Sequence, residues 1–431
     1  MRSINVGIIG AGTVGSGVWE LLSKNSGLIE NKSGIVVRIL LVADKDTARK
    51  KALGIPDRVF TKTVEDVIAN PEIDIVVELI GGTTDAHKLI IQAANNGKHI
   101  VTANKALLAK HGAEILNSVM KNSVELGFEA SVGGGIPIIK TITESLIGNR
   151  ITKLIGILNG TSNFILTKMT REGLGFAKAL KAAQELGFAE SDPLLDISGG
   201  DARHKITILS SLAFNTLIDH DRVYVEGIDK IDIRDIQYAG EFGFITKLLA
   251  VGELMDDGIL VKVHPALVRM DNPLAAVMWE DNAVMVYSDF LGKSMYYGKG
   301  AGALPTASAV VADILDIAWR VVNRGEYNRN RYTFFRNLPQ LDFSVNRTRY
   351  YFRFNVLDRP GILSRISGVL GDNNISIASV IQKEAEEKHE HVPLVMMTHM
   401  ALEADVQKAI SKIDAFGEVE GKGTIIRVME E

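Results

Sequence analysis

Cysteine is missing from all 431 residues, tryptophan occurs three times, and aromatic residues make up only 6% of the chain. Without cysteine there is no disulfide framework, no thiolate nucleophile, and no cysteine-ligated zinc or iron–sulfur centre. The lack of disulfides agrees with a reducing, cytoplasmic setting. An excess of one charge is lacking as well: 48 Lys and Arg stand against 52 Asp and Glu, for a formal net charge of −4. That balance argues against a nucleic-acid partner, which calls for a basic stripe. No uncharged apolar run reaches about 18 residues, so no membrane span is expected. The first residues, MRSINVGIIGAG, run straight into a glycine motif and leave no room for a signal peptide. What is present is an ordinary globular composition, 46% hydrophobic and 23% charged, in a chain long enough for several domains.

An apolar run at Ile4–Ile9 leads into Gly10-Ala11-Gly12-Thr13-Val14-Gly15 and then the helix-like VWELLSKN. This sets GxGxxG between a strand and a helix. There Gly10 serves a tight turn, Gly12 lets the backbone approach a pyrophosphate, Gly15 permits close helix–strand packing, and the first helical amides face the phosphates. The competing reading is a glycine-rich turn in another doubly wound fold. A second strand, Ile35–Ala43, ends at Asp44, where a carboxylate takes the adenine-ribose hydroxyls of NAD. The segment SGLIENKSG ahead of that strand delays it beyond the usual spacing. Lys45, Arg49, Lys50 and Lys51 follow, suited either to the 2′-phosphate of NADP or to a solvated helix face, so the nucleotide stays open.

Ile73–Gly82 reads as a strand buried in a parallel sheet, with Thr83 and Thr84 at its C-terminal end, where open α/β sheets bind ligands. A helix at Ala86–Asn95 and a strand at His99–Thr102 follow, and Asn104-Lys105 stand at the next strand end. Lys105 is either a surface lysine or a reach toward the substrate carboxylate and the nicotinamide. The alternation predicts a Rossmann-type doubly wound parallel sheet over residues 1–130, completed by the apolar helix at about 304–322.

At Glu129 the pattern changes to EASVGGGIPIIKTITESLIG. Gly133–Gly135 followed by Pro137 describe a sharp turn into a helix. Its carbonyls with one carboxylate suit a hard monovalent cation, and they equally suit a hinge. Residues 131–303 read as an α+β substrate-binding and dimerisation domain, with strands at Arg150–Leu158, FITKLLAVGEL, ILVKVHPALV and NAVMVYSDF. Its densest chemistry is LGFAESDPLLDISGGDARHK, Leu186–Lys205, where Glu190, Asp192, Asp196 and Asp201 surround Gly199-Gly200. Asp201 falls at a helix start, and Lys205, four residues on, shares its face. Acids ahead of a lysine bind an amine or polarise a hydroxyl, and the lysine carries a proton. The simpler alternative is a helix cap with an i,i+4 ion pair. Gly298–Gly302 forms a second glycine loop opening a helix, either an anion cradle or a return to the first domain.

Residues 323–348 read as a linker, and 349–431 as β-α-β-β-α-β, a ferredoxin-like unit. The charged KEAEEKHEH is a solvated hairpin tip, with His389 and His391 exposed rather than metal ligands.

These motifs together resemble those of the homoserine dehydrogenases, in the monofunctional form that carries a C-terminal ACT domain. Gly187-Phe188-Ala189-Glu190-Ser191-Asp192-Pro193, with Asp196, Asp201 and Lys205, agrees with the family's pattern at every fixed position. VGIIGAGTVG, TANKALLAKHG, EASVGGGIP, NGTSNFIL and GKGAGALPTASAV follow in the family's order. The resemblance implies reversible, NAD- or NADP-dependent conversion of L-homoserine to L-aspartate 4-semialdehyde in threonine, methionine and isoleucine biosynthesis. It implies Lys205 as acid/base, Asp201 and Glu190 as substrate holders, and Lys105 at the junction of nicotinamide and substrate. Thr13, Val14, Thr83, Gly187 and Gly302 would line the cofactor. Glu129 with the backbone of Val132, Gly134 and Ile136 is similar to the family's structural sodium site. Asp358, Gly361, Asn374 and Ile375 belong to stretches similar to the ACT signature, which implies an amino-acid effector, threonine as the pathway's end product. A homodimer or homotetramer is implied as well.

Overall fold

The computed structural model describes residues 2–322, 334–382 and 391–430. Residues 323–333 of the linker segment and 383–390 of KEAEEKHEH, including His389, lie outside the described residues, whereas His391 opens a strand and is half-buried rather than exposed. The described chain divides into two compact units, each assembled from three stretches: 1–158, 203–221 and 281–338 in one, and 159–202, 222–280 and 339–431 in the other.

In the first unit a parallel sheet runs β1 (Arg2–Ile9), β2 (Ile35–Ala43), β3 (Phe60–Thr61), β4 (Ile75–Glu78), β5 (His99–Thr102) and β6 (Leu126–Gly127) in chain order. In space the order is β3-β2-β1-β4-β5-β6, which reverses direction between β1 and β4. Such a reversal leaves a crevice at the strands' C-terminal ends, because the two flanking connections leave on opposite faces. The strands lack strict alternation because helices cover both faces, so Ile75, Val76, Val77 and Glu78 are all buried. SGLIENKSG is itself a short helix, Ser26–Ser33, closed by Gly34 in a left-handed conformation.

The helix Ala303–Val322 packs on the helix Thr13–Lys24, and Gly17 permits the approach, since a Cβ there would lie 2.5 Å from the Ala303 carbonyl oxygen. Val310, Ile314, Ile317 and Ala318 thereby join Ile4, Val6 and Ile8 in one core. Burying each such aliphatic side chain is worth about 1.5–3 kcal/mol. The same unit holds an antiparallel ribbon of Ile151–Ile157, Asp281–Ser288 and Gly292–Lys299.

In the second unit the long strands Phe244–Met255 and Gly258–Arg269 pair antiparallel. The strand Val419–Val428 adds to them in parallel at Ala266 and Leu267, and continues into Tyr350–Leu357, His391–Thr398 and Ile377–Gln382. With helices Ile362–Asp372 and Glu403–Ile413, these last strands make the ferredoxin-like βαββαβ fold. Its core is formed by Tyr350, Phe352, Phe354, Ile366, Leu394 and Ile410. Among the described residues, no helix is long and apolar enough to cross a membrane.

Candidate active site

The glycine loop after β1 is shaped for close backbone approach. Gly10 has φ +102°, and a Cβ on Gly15 would lie 2.0 Å from the Gly10 carbonyl oxygen, so a side chain at either position is excluded. Gly12 faces open space, with Arg49 Nη1 as the nearest atom, 3.5 Å from a Cβ built there. A cradle that only glycine can form, opening the helix Thr13–Lys24, fits a dinucleotide pyrophosphate. Thr13 is exposed at that helix start and Val14 is half-buried.

A cavity of about 660 Å³ adjoins the loop, lined by Gly10, Gly12 and Asp44 and by the cations Lys45, Arg49 and Lys62. Asp44 is already engaged by its own chain: Ala11 N–H donates to Oδ2 at 2.7 Å, Asp46 N–H to Oδ1 at 2.8 Å, and Arg49 Nη1 stands 3.3 Å from Oδ2. Burial pushes this carboxyl up, but the two amides and the guanidinium outweigh it and hold Asp44 below its usual value. Asp44 thus closes the glycine loop from beneath, a role that its place at a strand end does not reveal.

At the ends of β4 and β5 a buried carboxylate absent from the sequence reading organises two loops. Glu78 Oε1 accepts from Ile80 N–H at 2.9 Å and Gly81 N–H at 3.2 Å, and Oε2 accepts the Thr102 hydroxyl at 2.6 Å. Thr102 Oγ1 in turn accepts Asn104 N–H at 3.0 Å, and Asn104 Nδ2 donates to the Gly82 carbonyl at 2.7 Å. Asn104 Oδ1 also caps the helix Lys105–Lys121 through Leu107 N–H. This chain of bonds sets Thr83 and Lys105 on neighbouring strand ends, both half-buried. Gly302, with φ +117°, is exposed just before the helix Ala303–Val322.

Glu129 is buried, and its two carboxylate oxygens accept the amides of Ile139 and Lys140, both at 2.8 Å. Burial pushes its carboxyl up to about 7, against the opposing pull of those amides. Its own N–H donates to Asp313 Oδ2 at 2.8 Å, and Lys140 Nζ lies 3.1 Å from Asp313 Oδ1. Nearby, Gly133 and Gly134 take φ of +74° and +54°, and a Cβ on Gly134 would lie 2.6 Å from the Gly300 carbonyl. The donor set of one carboxylate with the Val132, Gly134 and Ile136 carbonyls is all hard oxygen, which fits a sodium ion. A buried carboxyl raised to about 7 also fits a site whose charge a bound cation would balance.

The helix Gly200–Phe214 carries Asp201 in its first turn and Lys205 four residues on. Both are buried, at 3% and 6% exposure, which sets them apart from a solvated i,i+4 pair. Lys205 Nζ donates to the Leu158 carbonyl at 2.5 Å. Asn159 Nδ2 donates to Asp201 Oδ2 at 2.9 Å and to Asp196 Oδ1 at 2.7 Å, while Asn159 Oδ1 caps the helix Gly160–Glu172 through Ser162 N–H. The loop ahead of them is steadied by Thr161, whose hydroxyl donates to the Phe188 carbonyl at 2.6 Å, and by the Phe164 and Phe188 rings 4.8 Å apart. Gly187 turns that loop with φ +77°, and Glu190 and Asp192 on it are exposed.

In the ferredoxin-like fold, Gly361 caps the helix Ile362–Asp372 with φ +92°, Asn374 holds φ +60° beyond its end, Asp358 is exposed, and Ile375 is buried in the core.

Known proteins share this architecture. Residues 10–129 match the family model for the NAD binding domain of homoserine dehydrogenase, 137–315 that for homoserine dehydrogenase, and 350–418 that for the ACT domain. The homoserine dehydrogenase of Pseudomonas aeruginosa is 42% identical, with 99% of each chain covered. That of Neisseria gonorrhoeae is 44% identical over the same shares. The crystal structure of a homoserine dehydrogenase from Thiobacillus denitrificans superposes with a TM-score of 0.94 at 43% identity, covering 100% of this chain and 99% of the other. A hyperthermophilic archaeal homoserine dehydrogenase in complex with NADPH matches 74% of this chain and 98% of its own, at 28% identity and a TM-score of 0.63.

Proposed function

The chain belongs to the homoserine dehydrogenase family of oxidoreductases, and from that premise we propose that Lys205 is the acid/base of its reaction. The observation that carries this reading is the buried Lys205 ammonium, held by the Leu158 carbonyl one helical turn beyond a buried carboxylate. The bound nicotinamide supplies or accepts the hydride at C4 of the substrate. In the reductive direction Lys205 donates a proton to the aldehyde oxygen of L-aspartate 4-semialdehyde as negative charge develops there. In the oxidative direction it takes the proton back from the homoserine hydroxyl. Proton transfer of this kind contributes about 10²–10⁴ in rate. Asp201 and Glu190 fix the substrate's α-ammonium, and Lys105 stands for its carboxylate or for the nicotinamide side.

Gly10, Gly12 and Gly15 receive the pyrophosphate in this reading, while Thr13, Val14, Thr83, Gly187 and Gly302 line the remainder of the nucleotide. We further propose NADP over NAD. The Asp44 carboxylate is engaged by Ala11, Asp46 and Arg49, and four cations, Lys45, Arg49, Lys62 and Lys88, line the neighbouring cavity. Sodium would sit at Glu129 with the carbonyls of Val132, Gly134 and Ile136, bracing the turn that leads into the helix after Pro137. The ACT domain is the expected site of an amino-acid effector, threonine, at Asp358–Gly361 and Asn374–Ile375, in a homodimer or homotetramer acting in the cytoplasm.

The deciding experiment is initial-rate kinetics with homoserine and each nucleotide on the parent chain and Lys205→Ala. The variant is expected to lose turnover by 10²-fold or more, on the order of a general acid's contribution, with nucleotide affinity nearly unchanged. Normal turnover in the variant would remove Lys205 from the chemistry. The same assay with threonine tests the effector, and a threonine-insensitive parent chain would make the ACT domain silent toward that amino acid.

A further inference from the structure

Two histidines and a glutamate that no part of the dehydrogenase reaction uses converge between the helices Asp85–Asn95 and Lys105–Lys121. His111 and Glu114 are three residues apart, so they stand on one face of their helix. His87, in the first turn of the neighbouring helix, faces them with its ring centroid 4.8 Å from that of His111. One ligand atom from each of the three residues lies within 4.8 Å of the other two.

The pairing of His87 with Glu114 is chemically odd. His87 Nε2 is shielded from solvent and stands 3.1 Å from Glu114 Oε2, yet the pair lacks the direction of a hydrogen bond. An imidazole nitrogen and a carboxylate oxygen at that distance need positive charge to hold them, either a proton on the ring or a metal ion between them. A metal ion can meet both of these atoms and the His111 ring together, which a single proton cannot.

We propose that His87, His111 and Glu114 form a binding site for a divalent transition-metal ion, of which zinc is the representative. Two imidazoles and one carboxylate select zinc, cobalt or nickel over calcium and magnesium, which take oxygen ligands. Ligand atoms about 2.0–2.2 Å from a tetrahedral zinc lie on the order of 3.4 Å from one another. Glu114, 63% exposed in its side chain, provides the entry path, and water completes the shell. The ion would clamp the first turn of the helix Asp85–Asn95, whose Asp85 and Lys88 line the nucleotide-side cavity, to the helix Lys105–Lys121.

Metal-stripped full-length protein is titrated with Co²⁺ and followed by its visible d–d absorption, then with Zn²⁺ by calorimetry and thermal unfolding. The expected result is one equivalent of metal per chain and a melting temperature that rises with zinc by mass action. His111→Gln and Glu114→Gln should each weaken binding by about tenfold or more and lose the zinc-dependent shift in melting temperature. His87→Gln serves as the third arm should either of the others fold poorly. Absence of stoichiometric uptake by the parent chain, or equal affinity in a folded variant, overturns the site.

Discussion

Asn159 Nδ2 donates to Asp201 Oδ2 at 2.9 Å, and the same side chain's oxygen caps the helix Gly160–Glu172. One amide therefore fixes a helix start and the orientation of a carboxylate proposed to hold substrate. Asn159→Ala removes a cap worth about 1 kcal/mol and leaves a buried carboxylate short of a donor, at about 1–3 kcal/mol. The melting temperature should fall by several degrees. In the folded fraction kcat should drop by about 10²-fold, while the KM for nucleotide holds. A kcat within twofold of the parent would reduce Asn159 to a cap alone.

Arg49 stands between two nucleotides in its effect. Its guanidinium contacts Asp44 Oδ2 at 3.3 Å and lines the cavity beside Gly12. If it also meets a 2′-phosphate, Arg49→Ala should raise the KM for NADP by about tenfold, the loss of one charge-assisted contact of roughly 1.4 kcal/mol. The KM for NAD should change little. Initial rates with both nucleotides decide it, and an equal rise for the two would assign Arg49 to loop stability instead.

Much of the fold was readable from local pattern. Ile4–Ile9 followed by Gly10, Gly12 and Gly15 reads as strand, turn and helix because hydrophobic period and glycine spacing act over about a dozen residues. The ferredoxin-like order after Tyr350 was visible for the same reason. What escaped depends on contacts distant in sequence. Glu78 and Thr102 are 24 residues apart, and Glu129 and Asp313 are 184 apart. Asp313 looks like a stray charge in an apolar helix until the fold brings the Glu129 amide and the Lys140 ammonium to it. The strand-end position of Asp44 is legible locally, whereas its bond to the Ala11 amide, which joins two strand ends, is not. Nothing in the spacing of His87 and His111 shows that two helices bring their rings together.

The ACT domain is tied to the rest of its unit by a buried ion pair. Arg353 Nε donates to Asp235 Oδ1 at 2.6 Å and Nη2 to Oδ2 at 2.9 Å, while the Tyr351 hydroxyl donates to Oδ1 at 3.0 Å. Asp235 is fully buried on the helix Ile233–Glu241, and Arg353 lies on the strand Tyr350–Leu357. Arg353→Met should destabilise by about 3–5 kcal/mol, since it strands a carboxylate away from water. The double variant Arg353→Met/Asp235→Leu should recover part of that loss, because neither charge is then buried, although the Tyr351 hydroxyl and the Asp232 amide lose their acceptor. Denaturant unfolding of the three chains reads this directly, and an Arg353→Met cost below about 1 kcal/mol would mean that the pair behaves as if solvated.

His264 gives the fold a pH dependence whose sign follows from burial. The ring is enclosed on the strand Gly258–Arg269, with Nδ1 2.8 Å from the Pro265 carbonyl, so Nδ1 carries the proton and Nε2 is bare. Burial, reinforced by the Arg427 and Lys262 cations, pushes its pKa well below the usual histidine value. The folded ring therefore stays neutral, while the unfolded chain takes up a proton near pH 6.5. Above that pH both states are neutral and His264 adds no slope. Below it unfolding binds a proton, and stability declines by up to about 1.4 kcal/mol per pH unit from this group. His264→Asn keeps a donor toward the Pro265 carbonyl and cannot titrate, so its stability should fall less steeply between pH 6.5 and 5 than that of the parent. Parallel slopes for the two chains in that window would show that His264 is protonated, and tolerated, inside the fold.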